Sequence, residues 1–157
     1  MTRYITHSDE ETVALGRQLA LALPKRTVVL LIGNLGAGKT TLAKGIISGR
    51  GAAEPDEVSS PTFTLIHEYG SAARGNLTYH IDLYRLDDPR ELATLGLEEI
   101  FDREAIVLIE WGERFPRLLP EDRMEIQLTR LGEEDRQIEV RHLHGLNSGR
   151  PPQGLAP

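Results

Sequence analysis

The chain has 157 residues, 39% hydrophobic and 27% charged, a composition that suits one folded domain with a single buried core and argues against disorder. Its 18 basic and 24 acidic side chains leave a net charge of −6, so no electrostatic footprint for nucleic acid is expected. With no cysteine, disulfides, thiolate nucleophiles and zinc–thiolate sites are excluded; no apolar run reaches the roughly 18–20 residues of a membrane span, and a cytoplasmic location is expected.

Ser8 and Glu11 have the spacing of a capping box. They open a helix in which Leu15, Leu19, Ala22 and Leu23 form one apolar stripe, and Pro24 stops it. Val28–Ile32 (VVLLI) is an uninterrupted β-branched and leucine run, the pattern of a parallel strand buried on both faces. Gly33–Gly38 breaks all periodicity, Lys39–Ile47 reads as helix, and a polar loop runs from Gly49 to Pro61. Thr62–Tyr69 and Leu77–Tyr84 alternate with period two and predict two strands paired through a Gly70–Asn76 turn. Asp88 caps a short helix with Pro89 at its first position, and Gly96 ends it. Ala105–Ile109 (AIVLI) is a second fully apolar strand, cut off at Glu110. Met124–Leu128 and Ile138–Leu143 alternate around a Gly-Glu-Glu-Asp turn and predict a hairpin at the sheet edge. Residues 146–157 have the Gly/Pro bias of a disordered tail, which leaves 1–145 as the domain.

Gly33-Asn34-Leu35-Gly36-Ala37-Gly38-Lys39-Thr40 matches G-x-x-x-x-G-K-[ST], between an apolar strand and a helix as the motif requires. The glycines let the backbone curl so that successive N–H groups face phosphate oxygens, and the following helix adds its positive end. Lys39 supplies a charge for the β- and γ-phosphates, and the Thr40 hydroxyl can join the shell of Mg²⁺. The fold expected is therefore α/β: a single P-loop NTPase domain with a mixed, largely parallel sheet and an antiparallel edge hairpin.

A P-loop works with an acidic group near the metal. Glu110 ends an apolar strand at the carboxyl edge, where ligands bind in open α/β sheets. Asp82 lies in the alternating segment Leu77–Tyr84, where the plainer alternative is a solvated position on a half-exposed strand. Spacing alone does not assign one to the metal and the other to water. Ser59-Ser60-Pro61-Thr62 suits either a loop that meets the γ-phosphate or a simple turn, and Trp111 either the site or the core. The histidines at 7, 67, 80, 142 and 144 show no metal spacing and read as structural or solvated. Arg85, Arg114 and Arg136 are phosphate or base contacts at best and surface residues otherwise.

The segments GNLGAGKTT, SPTFTLIHEY, HIDLYRL, DPRELATLGLEEIF and VLIEWGER, in this order, resemble the TsaE (YjeE) family of bacterial P-loop ATPases in tRNA threonylcarbamoyladenosine biosynthesis. The resemblance implies ATP bound through Asn34, Leu35, Gly36, Ala37, Gly38, Lys39, Thr40 and Thr41, with Mg²⁺ held by Thr40 and Glu110. It implies catalytic roles for Asp82, Lys39 and Glu110, a switch-like loop containing Ser60 and Thr62, Trp111 beside the nucleotide, and Glu10 and Arg136 as outer nucleotide contacts. It further implies an accessory motor for a TsaB–TsaD heterodimer that modifies adenosine 37, with tRNA a partner only indirectly.

Rival readings are a small-molecule kinase and a nucleotide-dependent switch without turnover. Against the kinase, Glu113–Asp122 (ERFPRLLPED) is too short and proline-interrupted for a helical lid; against a GTPase, no N-K-x-D element is present. No arginine finger is evident in the chain, which predicts that a partner gates turnover.

Overall fold

A computed structural model describes residues 1–61 and 65–144. Thr62, in the expected switch-like loop, and the expected tail at 146–157 lie outside the described residues. Seven strands form one sheet: β1 (Thr2–Thr6), β2 (Thr27–Ile32), β3 (Ile66–Tyr69), β4 (Thr78–Asp82), β5 (Ile106–Glu110), β6 (Arg123–Arg130) and β7 (Arg136–Leu143), in the order β1-β7-β6-β2-β5-β4-β3. The inner pairs β6–β2, β2–β5 and β5–β4 are parallel, whereas β3, β7 and β1 join antiparallel.

The apolar runs behave as their composition dictates. Val29, Leu30, Leu31, Ile106, Leu108 and Ile109 are all at most 1% exposed because both faces of β2 and β5 are covered. On one face lie α1 (Asp9–Ala22) and α2 (Lys39–Gly49), whose Leu42 and Ile46 are fully buried, each contributing roughly 1.5–3 kcal/mol. On the other lie α3 (Pro89–Leu92) and α4 (Leu97–Phe101), with Leu92, Leu97 and Phe115 against β4 and β5. The two helices α1 and α2 cross closely: a Cβ at Gly45 would run into the carbonyl oxygen of Val13.

Local signals hold with small shifts. Ser8 caps α1 by accepting from the Glu11 N–H at 3.1 Å, while the Glu11 carboxylate takes the N–H of His7 rather than that of Ser8. The buried stripe of α1 runs through Thr12, Leu15, Gly16 and Ala20, leaving Ala22 exposed, because Gly16 is where α2 comes nearest. Asp88 caps α3, and Gly96 ends the helical segment in the left-handed region at φ 68°. The expected hairpin is β6–β7, and a strand that the sequence did not announce, β1, adds outside it. β4 is not half exposed: all five of its residues are buried, since β3, β5 and both layers surround it.

Candidate functional site at the carboxyl edge

The loop 33–38 links the end of β2 to the first turn of α2, so the phosphate-binding motif sits at the carboxyl edge of the parallel strands. Gly38 has φ 103°, a conformation that strains any residue with a Cβ, and a Cβ at Gly33 would meet the Leu128 carbonyl oxygen at 2.8 Å. Asn34, Leu35 and Gly36 are exposed at the tip, Ala37 is buried beneath it, and Thr41 is half-buried on the first turn of α2.

Lys39 is 5% exposed. Its ammonium donates to the Gly33 carbonyl oxygen at 2.8 Å and lies 3.4 Å from the centroid of the Trp111 ring. Burial pushes this lysine below its ordinary value, and the carboxylates of Glu110, Glu113 and Asp82 oppose that shift. Trp111 is held at φ 65°, left-handed for a non-glycine residue, directly after Glu110. Its ring meets Tyr84 at 5.1 Å, tilted, and both border a hollow of about 530 Å³ with Arg85, Asp87 and Arg114. Arg114 donates to the Tyr84 carbonyl oxygen at 2.6 Å and to Asp87 at 3.2 Å, which ties the segment after β4 to the turn after β5.

Asp82 and Glu110 are register partners at the ends of β4 and β5, each 3% exposed. They are held differently. Asp82 accepts from the Ser60 hydroxyl at 2.8 Å and from the Tyr84 N–H at 2.9 Å. One Glu110 oxygen, Oε2, accepts from the Thr40 hydroxyl at 3.0 Å and from His80 Nε2 at 2.6 Å; the other, Oε1, has among the described residues only the longer 3.4 Å approach of Thr40. A hydroxyl and a carboxylate are hard oxygen donors, the set that fits Mg²⁺. Among the described residues no group of three or more His, Cys, Asp or Glu side chains could hold a metal, so phosphate and water would have to complete the shell.

The structure thus brings Lys39, Thr40, Ser60, Asp82, Glu110 and Trp111 together. Arg136 joins them from β7: its Nε lies 3.5 Å from where a Cβ on Gly38 would stand, buried without a partner among the described residues, while its Nη1 donates to Gly132, Glu133 and Asp135 carbonyl oxygens. Glu10 is exposed on the first turn of α1, and no hydrogen bond or ion pair among the described residues ties it to the loop. Sequence reasoning gave His80 no place at the site, reading it as structural or solvated; it is fully buried against Glu110, which removes the solvated alternative. The available signal was its spacing of two from Asp82, which puts both on one side of β4. It also missed Glu113, whose buried Oε1 lacks a partner among the described residues and whose carboxyl burial pushes up.

The family model for threonylcarbamoyl adenosine biosynthesis protein TsaE matches residues 6–138. A TsaE of Haemophilus influenzae is 48% identical over 66% of this chain, a match spanning 63% of that relative, just under two thirds of its length. A TsaE of Bacillus subtilis is 38% identical over 87% of this chain and 82% of its own. The crystal structure of Bacillus subtilis YdiB superposes with a TM-score of 0.72 at 33% identity, covering 92% of this chain and 86% of that one.

Proposed function

Because the chain belongs to the TsaE family of threonylcarbamoyl adenosine biosynthesis proteins, we propose that it binds Mg-ATP at its carboxyl edge and hydrolyses it to ADP and phosphate in service of that tRNA modification. The observation that carries the reading is the convergence of Lys39 and Thr40, at the start of α2, on two buried carboxylates in adjacent register.

In this reading the loop amides and the N-terminus of α2 cradle the phosphates, and Lys39 exchanges the Gly33 carbonyl oxygen for phosphate oxygens. Thr40 and Glu110 would hold Mg²⁺, which would supply neutralising charge for the phosphates. Asp82, fixed by Ser60 and the Tyr84 N–H, orients the attacking water. The water oxygen bonds to the γ-phosphorus, the bridging oxygen leaves on ADP with the bond pair, and the water proton passes through Asp82 to solvent. Trp111 covers Lys39 and keeps water from it. No helix among the described residues is long and apolar enough to cross a membrane.

The partner we assign is the TsaB–TsaD heterodimer, with tRNA met only through it; the net charge of −6 supports that division of labour. Phosphate release by the purified chain is expected to be slow alone and to rise when the heterodimer is added. No release under either condition would overturn the ATPase assignment, and phosphorylation of a small metabolite would favour the kinase alternative.

A further inference from the structure

We infer that His80 is a positioning residue for Glu110: through its Nε2–H it holds the carboxylate in the orientation that presents Oε1 to the magnesium of bound nucleotide. The inference rests on the Mg-nucleotide reading of the site and deepens it.

Three observations carry it. His80 is completely buried in the middle of β4, a place where a leucine or isoleucine would fill the same space without desolvating polar atoms. Its Nε2 lies 2.6 Å from Glu110 Oε2, and because a carboxylate oxygen only accepts, the proton of that contact sits on Nε2. Its Nδ1 is buried with no partner among the described residues, so among them the one polar group that the ring meets is Glu110. Burying a ring with one unmet nitrogen costs stability. What it supplies in return is a fixed carboxylate.

The division of labour within the carboxylate follows from the distances. Oε2 receives both the imidazole and the nearer Thr40 contact, while Oε1 is left with one 3.4 Å approach. A hydroxyl that gives a lone pair to a metal keeps its O–H proton for a carboxylate, so Thr40 and His80 are together the side-chain donors to Glu110 among the described residues, and of the two only His80 is free of the metal. A carboxylate restrained at one oxygen offers the other at a set angle; an unrestrained one rotates and must be ordered when the metal binds. Outer partners of metal-binding groups contribute about 10- to 100-fold in metal affinity.

The test is ATP binding at equilibrium, titrated with Mg²⁺ and repeated in EDTA, on wild type, His80→Leu and His80→Gln. Leucine keeps the bulk and removes the donor, whereas the glutamine amide nitrogen falls near the position of Nε2. The Mg²⁺ midpoint is expected to rise about 10- to 100-fold in His80→Leu and to recover in His80→Gln, with ATP affinity in EDTA unchanged in both. A His80→Leu midpoint within about twofold of wild type, or an equal loss in EDTA, overturns the inference. A wild type whose ATP affinity ignores Mg²⁺ overturns the metal reading itself. If His80→Leu does not fold, nitrogen NMR of the His80 ring in metal-free wild type decides: a proton on Nε2 is expected, and a ring protonated only at Nδ1 refutes the contact.

Discussion

The two ends of the parallel strands are built from similar residues and do different things with them. At the amino edge, the starts of β2, β5 and β6 surround a hollow of about 470 Å³ bordered by Arg26, Asp102, Asp122, Arg123, His142 and His144. One of its ion pairs lies at the surface: Arg26 meets Asp102 at 3.3 Å with side chains 55% and 84% exposed, an arrangement worth little in water. At the carboxyl edge, Lys39, His80, Asp82 and Glu110 are at most 5% exposed, and their donors and acceptors converge on one place. Volume alone would not separate the two ends. What separates them is that at the carboxyl edge a buried lysine, histidine and two carboxylates face one place, beside the P-loop.

The largest effect expected on that contrast comes from Lys39→Ala. In wild type, ATP at about a hundredfold over its dissociation constant should stabilise by about 2.7 kcal/mol, raising Tm by roughly 5–10 °C. The substitution should abolish that rise in a thermal shift assay while leaving a folded protein. A full shift in Lys39→Ala would remove the P-loop from the account.

Next in size is Gly45→Ala. The new methyl would be forced against the Val13 carbonyl of α1, so about 1–3 kcal/mol of stability should be lost on denaturant unfolding, with the ATP-induced shift preserved. An unchanged midpoint would mean that the α1–α2 crossing has more room than it shows.

Glu113→Gln gives a smaller effect that depends on pH. Burial raises this carboxyl above its ordinary value of 4.5, so the folded state keeps the proton to higher pH than the unfolded chain does. Its contribution is therefore most favourable below about pH 4.5 and is lost as pH rises through the folded value. Against wild type, Glu113→Gln should be near neutral in stability at pH 4 and more stable by pH 7. A gain at pH 4 that disappears by pH 7 would reverse the sign and refute the cause given.

The smallest expected effect is at the other end. Arg26→Ala should cost less than about 1 kcal/mol and leave the ATP-induced shift intact. A lost shift would move the ligand site to the amino edge.

How much of this was legible in the sequence follows the same division. The strand–loop–helix around Lys39 was readable because a fully apolar run, a glycine-rich break and a helical stripe are local signals, and Glu110 because it ends such a run. β1 was not, since TRYIT places one fully buried residue, Thr6, against β7 and carries no apolar pattern of its own. The burial of His80 was hidden by the alternation of Leu77–Tyr84, which mimics a half-exposed strand; the polar side of β4 is interior because it shares the face of Ile106 and Leu108, over which α1 and α2 pack. Arg136 reaches Gly38 through the pairing of β7 with β6, a contact of long sequence separation that no local pattern records.

The most direct measurement is a crystal structure with Mg²⁺ and a non-hydrolysable ATP analogue. The account predicts phosphates against the loop 33–38 with the metal between Thr40 and Glu110. A nucleotide seated in the amino-edge hollow, or a metal bound away from both residues, would contradict it.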